Sequence, residues 1–158
     1  MGNLKPVHQV VTVRTAVAAD QKALEALQWR ASLSNPGDRE ALLAHPEAIE
    51  LPLQYIESGD VFVAEGGGAI KGYAAIVPRQ DGHHELDALF VQPHDWRQGI
   101  GRHLVDYCCS EAKAAGAAEL HVVGNPHAQG FYEATGFVAL GTRKMRFGVG
   151  LLMKRSVL

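Results

Sequence analysis

Cysteine is scarce in this 158-residue chain: there are two, Cys108 and Cys109, side by side. Neighbours on a helix point in different directions, so they offer no disulfide framework, and the cytoplasm is the expected compartment. Net charge is small, −2 with histidine neutral, which gives no footprint for nucleic acid. No apolar run approaches the ~20 residues of a membrane span. The start, Met1-Gly-Asn-Leu-Lys-Pro6, lacks the hydrophobic stretch of a secretory leader, and Pro6 stands where a myristoylation signal wants serine or threonine. The eight histidines show no helix-spaced pair and no Cys-x-x-Cys accompanies them, so no metal is expected. His83 and His84, as strand neighbours, face opposite sides. What is present is ordinary for a globular protein: 47% hydrophobic and 20% charged residues. At this length that predicts one domain, residues 1–158, with a proper core.

The stretch Leu86 to Asp106 organises the rest. Leu86 to Val91 is apolar enough for a buried strand, and Pro93 stops it from continuing as a central ladder member. Gly99 and Gly101 follow, then apolar residues at Ile100, Leu104, Val105, Cys108 and Ala112, the spacing of one helical face. A helix that begins at a glycine loop aims unpaired N–H groups and the positive end of its dipole at one spot, where phosphate binds. Arg97 and Arg102 flank that spot. A dinucleotide fingerprint needs a third glycine where His103 and Leu104 stand, and a P-loop needs Gly-Lys-Ser/Thr. Neither is met. A phosphate-binding turn of another kind remains, beside the plainer reading of a tight turn.

Along the chain, His8 to Val17 alternates and is β-branched, a first strand. Asp20 is placed to cap a helix through Leu24, Leu27 and Ala31 that ends at Ser34-Asn-Pro-Gly37. A helical region from Asp38 is interrupted by Pro46 and Pro52 and ends at Gly59. Asp60–Glu65 and Ala69–Val77 form a hairpin through Gly66-Gly-Gly68, and a turn at Arg79–Gly82 leads into a strand His84–Val91. Gly116 ends the central helix. Glu119–Val123 then lies parallel to the strand before that helix. A loop and short helix to Gly136 and two last strands, Val138–Phe147 and Val149–Val157, complete an α/β chain.

Three segments in this order resemble the GNAT superfamily of N-acetyltransferases. They are the hairpin Val61–Val77, the run Leu89-Phe-Val-Gln-Pro with Gln98-Gly-Ile-Gly-Arg-His-Leu-Val105, and Asn125-x-x-Ala128-x-x-Phe131-Tyr-Glu-x-x-Gly136-Phe137. The resemblance implies the GNAT fold: a mixed, mostly antiparallel sheet of about seven strands flanked by helices, splayed between the fourth and fifth. It departs at the glycine loop, where the family's glutamine or arginine is Trp96 and Arg97 falls one step late.

The same resemblance implies acetyl-CoA as co-substrate, without a metal. The pyrophosphate would rest on main-chain N–H groups of Gln98, Gly99, Ile100, Gly101 and Arg102, with Arg97 beside it. The pantetheine arm would run along Leu89, Phe90 and Val91 as an added strand, with Asn125 bonding it from the other side. Acetyl transfer needs a neutral amine, a stabilised carbonyl oxygen and a proton for the leaving thiolate. Tyr132 stands where the family keeps its general acid, and a phenol is protonated at neutral pH. An N–H near Val91 would polarise the carbonyl. Glu85 and Asp87, on one strand face, are the candidate bases or ammonium contacts, Glu85 first because some family members carry a catalytic glutamate at its distance from Gly99. Ordinary packing for Tyr132 and a solvated surface role for the carboxylates are the plain alternatives.

The leading reading is direct transfer of acetyl from acetyl-CoA to a primary amine of a small molecule. Peptide or protein N-acetylation and a non-catalytic CoA sensor are the others. Residues 28–57 and 142–150 are expected to set the acceptor. Apolar Leu151-Leu-Met153 near a sheet edge suggests a homodimer.

Overall fold

The computed structural model describes residues 10–146 and 148–158. Its strands are β1 (Thr12–Thr15), β2 (Val61–Gly66), β3 (Ala69–Pro78), β4 (His84–Val91), β5 (Glu119–Gly124), β6 (Val138–Met145) and β7 (Gly148–Ser156). They form one sheet in the order β1-β2-β3-β4-β5-β7-β6. Neighbours run antiparallel except β4 and β5, which are parallel. The helices are α1 (Gln21–Ser34), α2 (Asp38–Ala44), α3 (Leu53–Glu57), α4 (Ile100–Ala114) and α5 (Gln129–Ala134). This is the mixed, splayed sheet that the sequence implied. Among the described residues no helix is long and apolar enough to cross a membrane.

Strands β2 and β3 are apolar on both faces because helices cover both faces. Phe62, Ala64, Ala74 and Ile76 meet Ile100, Leu104, Val105, Cys108 and Ala112 of α4. On the other face, Val61, Val63, Tyr73 and Ala75 meet Leu24 and Leu27 of α1. The two leucines have no exposed surface, and burying such a side chain contributes about 1.5–3 kcal/mol each. Cys108 and Cys109 are free and buried, and burial raises the pKa of both thiols. Neither is a ready nucleophile.

Some boundaries differ from the sequence reading. The first strand begins at Thr12, and His8 and Gln9 lie outside the described residues, as does Phe147 at the end of the expected sixth strand. Asp20 precedes α1 but does not cap it. Its carboxylate accepts from the Arg14 guanidinium at 2.8 and 3.0 Å and from the Val17 N–H at 2.8 Å, and Arg14 holds the carboxyl below its ordinary range. The helical region expected from Asp38 divides into α2, a 3-10 turn at Pro46–Ala48, and α3. Proline at the first helical position starts a new turn rather than continuing an old one.

Two irregularities of β4 shape the site. Register with β3 passes from Ala75↔Ala88 to Ile76↔Leu86, so Asp87 is the extra residue of a β-bulge. Leu86 therefore packs on the α4 side, while Ala88, two residues on, packs on the α1 side. In addition, β4 pairs with β5 only from His84 to Leu86. Beyond Leu86 the two strands part.

Candidate active site

Where β4 and β5 part, a cleft of ≈ 800 Å³ opens. Residues 86–91 of β4 form one wall, Val122–Asn125 and Tyr132 the other, and the start of α4 the floor. Asn35, Pro36 and Asp38, from the turn between α1 and α2, close one end.

The β4 wall is half-used. The Gln92 N–H donates to the Lys71 carbonyl at 2.8 Å. In an antiparallel pair such bonding alternates, so Phe90, opposite Tyr73, also turns its main-chain groups toward β3. Leu89 and Val91 turn theirs toward the cleft, where among the described residues no strand meets them. The Val91 carbonyl accepts the Trp96 indole N–H at 2.8 Å, which leaves the Val91 N–H facing the opening. Phe90 was expected to lend main-chain groups to a ligand, but these face β3; the residue lines the cleft, and its ring lies 5.7 Å from that of Tyr73.

Trp96 thus fastens the loop that leads to α4. Arg97 has φ 65°, the one positive value at a non-glycine among the described residues, and Gly99 has φ 84°. A left-handed residue other than glycine costs about 1–3 kcal/mol. Successive N–H groups in a chain that alternates handedness in this way form a concave nest for anions. No side chain caps α4, so its first N–H groups stay free, and their dipole adds to the nest. A Cβ at Gly101 would lie 3.1 Å from two ring atoms of Phe131, so the Phe131 ring of α5 packs against the backbone of α4 there. Arg97 is exposed at the loop. Arg102 donates from Nη2 to the Ala134 carbonyl at 2.8 Å.

That bond helps explain how a six-residue helix holds its place. Arg102 and Arg155, the latter donating to the Thr135 carbonyl at 2.7 Å, satisfy carbonyls at the end of α5, where cations are favoured. Tyr132, on this helix, is well packed. It is 8% exposed, its ring contacts Phe131 and Phe137, and a Cβ at Gly124 would come within 2.7 Å of it. Among the described residues nothing bonds its hydroxyl. Burial, and then the nearby Asp38 carboxylate, push its pKa up to about 12.

The carboxylates separate. Glu85 does not line the cleft. It lies opposite His121 where β4 and β5 still pair, and its Oε1 is 3.6 Å from Arg79 Nη1. Asp87, carried out by the bulge, does line the cleft; desolvation raises its carboxyl although its surface is exposed at the rim. Asn125, expected to bond a ligand, has other partners. Its Nδ2 donates to the Pro36 carbonyl and to Asp38 Oδ1, both at 3.0 Å, and its Oδ1 accepts from the His127 N–H at 2.9 Å. Neither Asp38, read only as the start of a helical region, nor Trp96, read only as a departure in the glycine loop, was expected at the site from the sequence. Gln98 is not among the lining residues, whereas Leu89, Val91, Arg97, Gly99, Ile100, Gly101 and Arg102 are.

The family model for the acetyltransferase (GNAT) family matches residues 22–137, which include the glycine loop, the splay and Tyr132. The chain belongs to the GNAT acetyltransferase family. Acetyl-CoA is its co-substrate. Solved structures of GNAT proteins superpose on nearly the whole chain. A GCN5-related N-acetyltransferase of Rhodopseudomonas palustris is 20% identical with TM-score 0.78, the match covering 96% of this chain and 99% of that one. An N-acetyltransferase of Thermoplasma acidophilum, solved with coenzyme A, is 17% identical with TM-score 0.71, covering 93% and 99%. The ribosomal-protein-S18-alanine N-acetyltransferase of Escherichia coli is 21% identical with TM-score 0.68, covering 94% of each chain. No curated protein sequence matches the chain.

Proposed function

We propose that this GNAT protein is an N-acetyltransferase that acylates a primary amine of a small molecule by direct attack, in the cytoplasm. The observation that carries the reading is the open β4 edge facing the unpartnered Tyr132 hydroxyl across one cleft. Acetyl-CoA supplies an acetyl thioester on an amide-bearing arm that ends in a pyrophosphate. The outward groups of Leu89 and Val91 suit that arm, and the nest from Arg97 to Arg102 suits the pyrophosphate. The Val91 N–H polarises the acetyl carbonyl, and Tyr132, protonated throughout the physiological range, hands its proton to the departing sulfur. Asp87 sets a negative rim that favours a cationic acceptor. Cys108 and Cys109, buried in the core, take no part.

A small acceptor is favoured over a peptide by Asn125. Its bonds to Pro36 and Asp38 tie the end of β5 to the turn after α1, so the acceptor end is a pocket and not a through-running groove. None of residues 142–150 lines the cleft among those described, which leaves the turn after α1 as the acceptor's main contact. Calorimetry tests the reading. Acetyl-CoA should bind tightly, dephospho-CoA more weakly, and ATP, lacking the arm, hardly at all. Equal binding of ATP would mean that the β4 edge takes no part.

The homodimer expectation loses its apolar patch, because β7 lies between β5 and β6 and buries Leu151 and Met153; the exposed edge that remains for it is β6. It is an edge strand with every residue exposed, and Val138 and Leu140 are more than half exposed. Light scattering should give twice the chain mass of 17.0 kDa; a monomer at high concentration would remove the dimer.

A further inference from the structure

We infer that Asp38, held by Asn125, is the residue that receives the acceptor's ammonium group and takes its proton. The inference rests on the acetyltransferase reading above and deepens it by naming the residue that binds the acceptor's ammonium group. Besides Asp95, which lines the cleft with Lys71 Nζ 3.6 Å from its Oδ2, three carboxylates lie near the splay, and their surroundings differ. Glu85 sits below the cleft against Arg79. Asp87 stands at the rim, and the hydroxyl that feels its charge is that of Tyr73, on the α1 side of the sheet. Asp38 and Tyr132 both line the cleft, and of the three it is Asp38 whose charge raises the pKa of the Tyr132 hydroxyl, which has no partner among the described residues.

Asp38 is also fixed as a contact residue must be. Asn125 Nδ2 donates to its Oδ1 at 3.0 Å across 87 positions of sequence. Gly37, with φ 86°, brings the turn so close that a Cβ there would lie 3.2 Å from the His127 ring. Asn35 bonds the same carboxylate and His127 lies near it; no lysine or arginine neutralises it among the described residues. A part-buried carboxylate without a cation is costly to keep, and a bound ammonium would supply that cation. Desolvation holds the carboxyl above its ordinary range, which suits it to accept a proton.

The protons balance. The ammonium gives one proton to Asp38, which passes it to solvent. The freed amine forms the C–N bond as the C–S bond breaks, and sulfur takes the Tyr132 proton. The new amide nitrogen then loses its second proton, which restores Tyr132.

Asp38→Asn tests this while keeping an oxygen for Asn125 Nδ2. Two nucleophiles are compared by release of the CoA thiol. One is hydroxylamine, neutral at the assay pH. The other is a pool of ethylamine, 1,4-diaminobutane, alanine amide and lysine amide, all cationic. Asp38→Asn should leave acetyl-CoA affinity and the hydroxylamine rate nearly unchanged. Its rate with the dilute amine pool should fall about 10²-fold or more, the scale of a lost general base. Equal losses with both nucleophiles, or no loss with either, would overturn the assignment. So would a native protein that binds acetyl-CoA and uses hydroxylamine but no amine of the pool. A native protein that does not bind acetyl-CoA would instead overturn the acetyltransferase reading itself.

Discussion

Gly101→Glu should reduce acetyl-CoA binding by about 10²–10³-fold. Two costs coincide at this residue. A carboxylate at the start of α4 would face the pyrophosphate, and such like-charge juxtaposition costs several kcal/mol. The new side chain would also begin 3.1 Å from the Phe131 ring, so α5 would have to give way. Gly101→Ala separates the two, since it adds the crowding without the charge. Calorimetry on both variants should show a modest loss for alanine and a collapse for glutamate. If both lose affinity equally, the displaced Phe131 accounts for the effect and the phosphate site is elsewhere.

The second large effect is on turnover. Tyr132→Phe should slow acetyl transfer by about 10²–10⁴-fold, the range for a lost general acid, with acetyl-CoA affinity nearly unchanged. The argument rests on what the substitution leaves alone. The ring keeps its contacts with Phe131, Phe137 and the backbone of Gly124. Only a hydroxyl without a partner among the described residues is removed, so thermal stability should hold or rise slightly. Because the hydroxyl's pKa is raised to about 12, its own titration should not limit the native enzyme anywhere between neutrality and pH 10. Single-turnover kinetics are the suitable measurement, since product release can mask chemistry. Full activity there would return Tyr132 to packing alone.

The parts of this fold written locally were readable from the chain. Val61-Phe-Val-Ala, the triple glycine and the apolar run of β3 specify a hairpin, and Gly99, Gly101 and the spacing from Ile100 to Ala112 specify the loop and its helix. The site was less legible, because much of it depends on pairings between distant segments. Whether Glu85 reaches the cleft depends on the residue at which β4 leaves β5, which no local pattern records. The bulge at Asp87 carries neither glycine nor proline to announce it. The sequence motif marked Asn125 as a ligand contact, and its partners Pro36 and Asp38, 89 and 87 positions away, were invisible. Asp38 itself reads only as the first residue of a helix. Trp96 was noticed as a departure from the family pattern, yet its bond to Val91 requires the loop to fold back on the strand.

If acetyl-CoA completes the unpaired stretch of β4, as proposed, the donor's concentration should set how strongly the fold resists unfolding. A sheet whose fourth strand is bare along one edge resembles an incomplete assembly, and such edges recruit strands from other chains. Acetyl-CoA would serve as the missing piece of backbone. Once the donor exceeds its dissociation constant, each further tenfold excess adds about 1.4 kcal/mol against unfolding. A cell rich in acetyl-CoA would then hold more of this enzyme as well as run it faster, and a starved cell would leave more of it open to proteolysis and aggregation.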